Sequence, residues 1–222
     1  MNRGDFLPGP SREPASGRSS VAEPTVFVVD DSPAVRRSLT ALVNSAGLAA
    51  EAYDSNEAFL AAYDPQRPGC LVLDLRLRKG SGLDLQAELC RRDSTLPIIV
   101  MTGYGTVPDS VQALQAGAFD FLQKPVRPQK LVQRIQEAIE TDRQRRAGAV
   151  ARAEVQRRVA RLTPREREVM NLLVEGKTSK EVAVQLKLST RTVEGHRRVV
   201  LRKMKVSSAA QLVAAVLATR HP

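Results

Sequence analysis

From position 25 to position 142 the sequence alternates short apolar runs with longer amphipathic stretches. The apolar runs predict five β-strands: Val26–Val29, Leu48–Tyr53, Cys70–Leu73, Pro97–Met101 and Phe119–Gln123. The amphipathic stretches predict helices near 33–47, 55–63, 82–92 and 107–116, with a last one from 127 past 140. Short apolar strands that alternate with helices are typical of parallel βαβ units. This region is therefore predicted to be an α/β doubly wound domain with a five-stranded parallel sheet.

The pattern changes on either side of this region. Residues 1–24 are rich in Gly, Pro, Ser and Arg without an apolar period, which predicts a disordered N-terminal tail. Residues 143–160 are rich in Arg, Ala and Gln, and we expect a helical linker that extends the preceding helix, interrupted at Gly148. Residues 161–222 show helical periodicity only, near 163–175, 179–186, 190–204 and 208–218. The last segment is therefore predicted to be a small all-α domain.

The positive charge lies in the C-terminal part of the chain. The net charge is +10, but residues 25–142 hold 12 basic and 15 acidic side chains, whereas residues 143–222 hold 19 and 6. Such asymmetry suggests that a polyanion-binding domain follows a domain with another task, although a solvated basic face would give the same count. No secretory signal or membrane span is recognisable, and two cysteines do not make a disulfide framework. We expect a cytoplasmic protein without a membrane partner.

Polar side chains follow four of the predicted strands. Asp30 and Asp31 come after the first, Asp74 after the third, Thr102 after the fourth and Lys124 after the fifth. With the strand order 2-1-3-4-5, the carboxylates converge at the edge where ligands bind in open parallel sheets. Three close carboxylates require a cation, and oxygen ligands of this kind suit Mg²⁺. Any one of these side chains could simply cap a helix, but the full set favours a site for phosphoryl transfer to a carboxylate.

Residues 25–142 resemble the receiver domain of two-component response regulators, which has a flavodoxin-like fold. The matching pieces are Asp30-Asp31, Asp74, Met101-Thr102-Gly103, Ala116-Gly117-Ala118 and Lys124-Pro125. The resemblance implies that Asp74 accepts a phosphoryl group from a sensor histidine kinase. It also implies that Thr102 then turns toward the phosphate while Phe121 turns inward, a two-state element biased by phosphorylation.

The same resemblance implies how Mg²⁺ is held. Asp31, helped by Asp30, the phosphoacceptor Asp74 and the backbone carbonyl of Arg76, is expected to bind the ion. One departure concerns the loop after the phosphoacceptor, where the family usually has Met-Pro. This chain instead reads Leu75-Arg76-Leu77-Arg78-Lys79-Gly80-Ser81-Gly82. The missing proline and the added cations leave phosphorylation rates and partner choice open, whereas the core residues are all present.

The C-terminal segment carries strong helix signals. Thr163, Pro164 and Glu166 form a capping-box start, and a short second helix is followed by a basic third one. A scaffold helix, a tight turn and a basic helix make a helix-turn-helix, although a generic basic bundle would share these features. The segment resembles the LuxR-type helix-turn-helix in Thr163-Pro164-Arg165-Glu166, Thr192-Val193-Glu194, His196 and Lys203-Met204. Together with the receiver, this resemblance points to the NarL/FixJ class, and the run 102–108 leans toward FixJ.

The third helix of this segment is predicted to lie in the major groove of double-stranded DNA. Glu194, Gly195 and Arg198 are expected to face base edges, and Arg198 is the best candidate for reading guanine. The residues expected at DNA phosphates are Thr190, Thr192, Arg197 and Lys203. Two positions depart from the family pattern, Ser179 where Asn is common and Val199 where a polar residue is usual.

These features predict a transcriptional regulator, not an enzyme, that is switched by phosphorylation. The resemblance implies that phosphorylation makes the receiver form a homodimer, release the DNA-binding domain, or both. We expect paired DNA half-sites for a dimer, and RNA polymerase as a further partner. An alternative is a phosphorylation-independent DNA-binding regulator whose receiver is a dimerisation scaffold. A small-molecule phosphatase or phosphotransferase is disfavoured, because Leu75 and Arg76 follow Asp74 in place of a second catalytic carboxylate.

Overall fold

The computed structural model describes residues 23–78, 80–103 and 107–219, with the side chains of 107–109 left aside. Most of the predicted N-terminal tail, 1–24, lies outside these residues. The chain divides into two units between Ile139 and Glu140. No helix in the described ranges is long and apolar enough to cross a membrane.

The first unit is a parallel sheet with helices on both faces. Its strands are β1 (Thr25–Val29), β2 (Ala49–Tyr53), β3 (Gly69–Asp74), β4 (Ile98–Thr102) and β5 (Asp120–Gln123). Its helices are α1 (Pro33–Ser45), α2 (Asn56–Ala62), α3 (Gly82–Arg91), α4 (Val107–Gln115) and the first part of α5 (Pro128–Ala160). All strand pairs are parallel, in the order β2-β1-β3-β4-β5. The predicted fold class and strand order are confirmed.

Two apolar cores explain why the strands are apolar on both faces. Successive side chains of a strand point to opposite faces of the sheet. Phe27, Val29, Leu71 and Leu73 lie in the core that includes buried residues of α2, α3 and α4. The alternate residues of the same strands, Val26, Val28, Cys70 and Val72, lie in the core that includes residues of α1 and α5.

The register of the central strands places two aspartates side by side. Val29, the last residue of β1, is aligned with Leu73 of β3. Asp30 directly follows Val29, and Asp74 directly follows Leu73 as the last residue of β3, so both stand at the carboxyl edge of the sheet. Because β4 pairs with β3 and β5 pairs with β4, the ends of these strands reach the same edge.

The second unit is all-helical. Its helices are the last part of α5, then α6 (Pro164–Val174), α7 (Ser179–Leu186), α8 (Thr190–Met204) and α9 (Ala209–Leu217). Thr163 and Thr178 begin α6 and α7 with capping boxes, each completed by a glutamate three residues later. One apolar core joins the unit, with Val169, Val193 and Leu212 fully buried in it.

The predicted linker differs from the structure in two respects. Helix α5 continues through Gly148, since one glycine costs a helix only about 1 kcal/mol and does not end it. The whole of the predicted linker, 143–160, also lies in the second unit, which begins at Glu140, and Val155 and Val159 pack against the core of that unit. The sequence placed this boundary at 160, as the Arg-rich composition hides two apolar residues four positions apart on one helix face.

The glycine that begins β3 yields the first prediction. Gly69 has φ +151°, and a Cβ there would lie 1.9 Å from the Thr25 carbonyl oxygen on the neighbouring strand. We expect Gly69→Ala to destabilise the first unit by about 1–3 kcal/mol, because the backbone must shift. Urea unfolding followed by tyrosine fluorescence measures this, since the chain has no Trp and its tyrosines, at 53, 63 and 104, precede Glu140.

Gly148→Ala is the matched control. A Cβ at Gly148 meets only the Arg152 side chain, at 3.5 Å, and Gly148 belongs to the second unit. The tyrosine transition of this variant should stay at the wild-type urea concentration. An unchanged midpoint for Gly69→Ala would contradict the prediction.

Candidate functional site

One ammonium group joins the two aspartates at the carboxyl edge of the sheet. The Lys124 Nζ, directly after β5, donates to Asp30 Oδ2 at 2.8 Å and to Asp74 Oδ2 at 2.7 Å. All three side chains are mostly buried, with exposed fractions of 23% for Lys124, 3% for Asp30 and 13% for Asp74. Two carboxylates can lie together here because a cation lies between them.

Burial and charge act against each other on these groups. Burial disfavours the charged form of Lys124, but its hydrogen bonds to Asp30 and Asp74 outweigh this and raise the pKa of the ammonium. Burial raises the pKa of the Asp74 carboxyl, although Lys124 and the Arg76 N–H both favour its ionised form. Lys124 is therefore a protonated ammonium group beside a carboxylate that is less well solvated than usual.

Backbone contacts fix the two aspartates. The Ser32 N–H donates to Asp30 Oδ1 at 2.9 Å, and Arg36 donates to the Asp30 carbonyl at 2.7 Å. The Arg76 N–H donates to Asp74 Oδ1 at 3.1 Å. Helix α1 thus begins directly behind Asp30, with Ser32 as its N-cap.

A glycine that the sequence analysis missed lies directly behind the phosphoacceptor candidate. A Cβ at Gly82 would lie 2.4 Å from the Asp74 carbonyl oxygen, so only glycine fits there. The Gly82 N–H also donates to the Leu75 carbonyl at 2.9 Å, which returns the loop to its starting strand. The Gly-containing loop is visible in the sequence, but this close approach is a tertiary feature.

Asp31 is turned toward a loop arginine. The Arg78 N–H donates to Asp31 Oδ2 at 3.1 Å, and Arg78 Nε lies 3.3 Å from the same oxygen. Within the described ranges no group of three or more His, Cys, Asp or Glu side chains is placed to hold a metal ion. The donors still fit Mg²⁺ in type, since the sheet edge offers the hard oxygens of Asp30, Asp31 and Asp74, and Lys124 shows that this edge requires positive charge.

Thr102 and Phe121 lie on β4 and β5. Thr102 is buried at the end of β4, and its carbonyl accepts the Lys124 N–H at 2.8 Å. Phe121 pairs in register with Val100 and is partly buried against the core on the α2–α4 side. The structure therefore links Thr102 to Lys124 through the backbone and places Phe121 one strand away.

Helix α8 presents an exposed polar face. The predicted base-edge residues Glu194, Gly195 and Arg198 are all exposed or partly exposed, and the opposite side buries Val193 and Val200. Nothing lies within 4 Å of a Cβ built at Gly195, so this face offers open space at mid-helix. Ser189 caps the helix by accepting the Thr192 N–H at 3.0 Å.

The four predicted phosphate contacts fall into two groups. Thr190 and Thr192 are exposed at the start of α8. Arg197 and Lys203 are only partly exposed and have partners within the unit, Ser179 Oγ at 3.3 Å and Glu166 Oε2 at 2.6 Å. Lys203 also donates to a backbone carbonyl, at 3.4 Å. Its ammonium therefore fits an internal ion pair better than the predicted phosphate contact.

Comparison with known proteins identifies both units. Residues 26–136 match the response regulator receiver domain, and residues 160–216 match the luxR family of bacterial regulatory proteins. A receiver domain followed by a LuxR-type DNA-binding domain defines a transcriptional response regulator.

Individual relatives show which class of response regulators the chain belongs to. The chain is 43% identical over 188 residues to nodulation protein W of Bradyrhizobium diazoefficiens, which covers 85% of this chain and 83% of that protein. It is 42% identical over 188 residues to the transcriptional regulatory protein FixJ of Azorhizobium caulinodans, covering 85% and 89%. The structure of the response regulator StyR matches with a TM-score of 0.78 at 37% identity, covering 88% of this chain and 99% of that one. The chain belongs to the NarL/FixJ class of response regulators.

The ion pair between α6 and α8 predicts a pH dependence. Hydrogen bonds from Lys203 and from the Thr163 N–H lower the pKa of Glu166 below its ordinary 4.5. A carboxyl with a depressed folded-state pKa stabilises the fold fully above its unfolded pKa and loses this contribution as pH falls through the folded pKa. Glu166→Gln should therefore destabilise the second unit at neutral pH and much less at about pH 3.

Thermal unfolding followed by helical circular dichroism at both pH values measures this difference. The control is Glu181→Gln, which removes the carboxylate of the exposed capping box of α7, a carboxylate whose hydrogen bonds are with Thr178 and on which Lys177 acts only through its charge. Its pH-dependent effect should be smaller. An equal stability loss for Glu166→Gln at both pH values would refute the role of the ion pair.

Proposed function

We propose that Asp74 accepts a phosphoryl group from a sensor histidine kinase and that this event controls DNA binding by the second unit. The observation that supports this most is the Lys124 ammonium, which joins Asp74 to Asp30 at the carboxyl edge of the sheet. Phosphoryl transfer depends mainly on positioning and on neutralising charge, and both are available there. An oxygen of the Asp74 carboxylate forms the new P–O bond, while the P–N bond to the kinase histidine breaks.

The surrounding residues have separate tasks in this proposal. Lys124 faces the negative charge of the phosphoryl oxygens, and the Thr102 hydroxyl donates to one of them. Asp30, Asp31 and Asp74, with the Arg76 carbonyl, would hold Mg²⁺. When bound, the ion neutralises charge on the carboxylates and on the phosphoryl oxygens.

The proposed switch lies between β4 and β5. When Thr102 is drawn to the phosphoryl group, the space beside it opens to Phe121, whose ring is already partly buried against the neighbouring core. The change alters the α4–β5–α5 surface of the receiver, which then forms a homodimer. Two DNA-binding domains in one dimer can occupy half-sites one helical turn or a multiple of it apart. RNA polymerase is a further proposed partner, in the bacterial cytoplasm where the DNA lies.

The DNA contact is proposed for the exposed face of α8. Arg198 suits guanine, because its two-pronged guanidinium can bond both major-groove acceptors of that base. Glu194 and Gly195 lie beside it on the same face. Thr190 and Thr192 at the helix start suit DNA phosphates, which position the domain without reading sequence. Arg197 can also contact a DNA phosphate if its guanidinium leaves the Ser179 hydroxyl. Lys203 is not assigned to DNA, because its ammonium forms the ion pair with Glu166.

A second candidate function is phosphorylation-independent DNA binding with the receiver as a scaffold. The contact of Arg78 with Asp31 favours it, because a carboxylate needed for the metal ion is bound by a cation of the chain itself. The two functions differ in whether a phosphodonor changes DNA affinity.

Phosphate incorporation on wild type and Asp74→Asn is the direct test. With Mg²⁺ and a small phosphodonor, wild type should become a base-labile phosphoprotein, dimerise and bind DNA more tightly, because only Asp74 forms an acyl phosphate. Asp74→Asn should remain unlabelled and indifferent to the donor. The matched control is Asp93→Asn, an exposed aspartate after α3, which should be labelled like wild type. Unlabelled wild type with donor-independent DNA affinity would establish the scaffold function instead.

Arg198→Ala tests the DNA-reading face. The variant should lose about 1–3 kcal/mol of binding to a DNA site selected from a random library, and should discriminate less at one base pair. Fluorescence anisotropy with single-base variants of the site, at two salt concentrations, measures both effects. Arg202→Ala removes an exposed cation from the last turn of the same helix and should weaken all sequences equally. Unchanged base preference in Arg198→Ala would remove Arg198 from the reading face.

A further inference from the structure

The loop after β3 brings two donors of one residue to a carboxylate of the proposed metal site. The Arg78 N–H lies 3.1 Å from Asp31 Oδ2, and its Nε lies 3.3 Å from the same oxygen. The Asp31 side chain is 23% exposed, whereas that of Arg78 is 82% exposed. The carboxylate is thus mostly buried, and the guanidinium reaches it from the solvent side.

The surroundings of Arg78 are acidic. A cleft of about 520 Å³ is lined, among the described residues, by Asp31, Asp54, Ser55, Glu57 and Arg78. Arg78 contributes the one cation among these five lining residues, beside three carboxylates. The cleft therefore attracts cations, and Arg78 is a cation that cannot diffuse away.

We propose that Arg78 is a positioning residue that competes with Mg²⁺ for Asp31, and so sets the Mg²⁺ concentration at which the receiver becomes competent for phosphorylation. The inference rests on the proposed function, in which Asp31 is a ligand of the ion. One oxygen cannot face a guanidinium and Mg²⁺ in the same direction, so the guanidinium leaves when the ion binds. An exposed side chain can do this without unfolding the loop, because solvent lies on its other side.

The residue type at position 78 makes both contacts possible. Residues 75–82 contain no proline, so residue 78 has an N–H, and its arginine side chain adds a cation. Proline has no N–H and no charge, so a proline at position 78 would make neither contact with Asp31. The arginine supplies both, and substitutions can separate them. Arg78→Ala removes the cation alone, Arg78→Pro removes the cation and the N–H, and Arg78→Lys keeps a cation.

Mg²⁺ binding to the full chain, without any phosphodonor, tests the inference. Isothermal titration with MgCl₂ gives the Kd for wild type, Arg78→Ala, Arg78→Pro and Arg78→Lys. We expect Arg78→Ala to bind Mg²⁺ about two- to fivefold more tightly, since exposed ion pairs are weak. Arg78→Pro should bind about tenfold more tightly, because it also removes a hydrogen bond to a charged group. Arg78→Lys should lie near wild type.

Two controls separate a local charge effect from a general one. Arg92→Ala removes a cation that pairs with Glu88 on α3 and should leave the Kd unchanged. Raising the NaCl concentration screens the Arg78 contact, so the ratio of the wild-type Kd to the Arg78→Ala Kd should shrink toward one. Urea unfolding followed by tyrosine fluorescence verifies that each variant is folded.

The outcomes distinguish this inference from the proposed function beneath it. A lower Kd for Mg²⁺ in Arg78→Ala and Arg78→Pro, together with a Kd near the wild-type value in Arg78→Lys, supports the competition. The same Kd for all four proteins overturns it and leaves the metal site intact. If none of them binds Mg²⁺ but wild type is still labelled at Asp74, the inference and the metal ligands fail together while the phosphoacceptor stands.

Discussion

The stability of the first unit depends on a cation that neutralises two buried carboxylates, because the sheet register places these carboxylates side by side. Val29 and Leu73 are paired in register, so Asp30 and Asp74 emerge side by side. Without a cation this pair would repel strongly in a site that is poorly solvated. The Lys124 ammonium meets both oxygens, and the strand that supplies it lies two places away from β3 in the sheet. In the proposed function, a phosphoryl group on Asp74 would add negative charge to this balance.

The cations of helix α8 in the second unit differ in their surroundings. Of the cations along α8, Lys203 is bound to a mostly buried glutamate and stabilises the packing of α6 on α8. Arg198 and Arg202 are exposed on the same helix. The positive charge of this helix therefore includes one cation in a structural ion pair and exposed cations that are available for the proposed DNA contact, and burial distinguishes the two kinds. Substitutions that ignore this difference would confuse a loss of folding with a loss of DNA binding.

The sequence predicts the strands and helices well, because the spacing of apolar residues along the chain reflects which face of each strand or helix is buried. The expected strand order also brings Asp30 and Asp74 together, since parallel strands end at one edge. Side-chain contacts that start from a loop or a helix and reach a residue far away in the sequence cannot be predicted in this way. Arg78 reaches Asp31 across 47 positions, and Lys203 reaches Glu166 across 37. No local pattern predicts such pairs, because side-chain direction in a loop or on a helix depends on the tertiary fold.

The most direct test of the central claim is to locate the phosphoryl group. Wild-type protein would be treated with Mg²⁺ and a phosphodonor and reduced with borohydride, which converts an aspartyl phosphate to homoserine. Peptide mass spectrometry then finds the altered residue. We expect homoserine at Asp74 alone, because Asp74 is the sheet-edge aspartate assigned as nucleophile. Homoserine at Asp30 or Asp31, or at no aspartate, would contradict it.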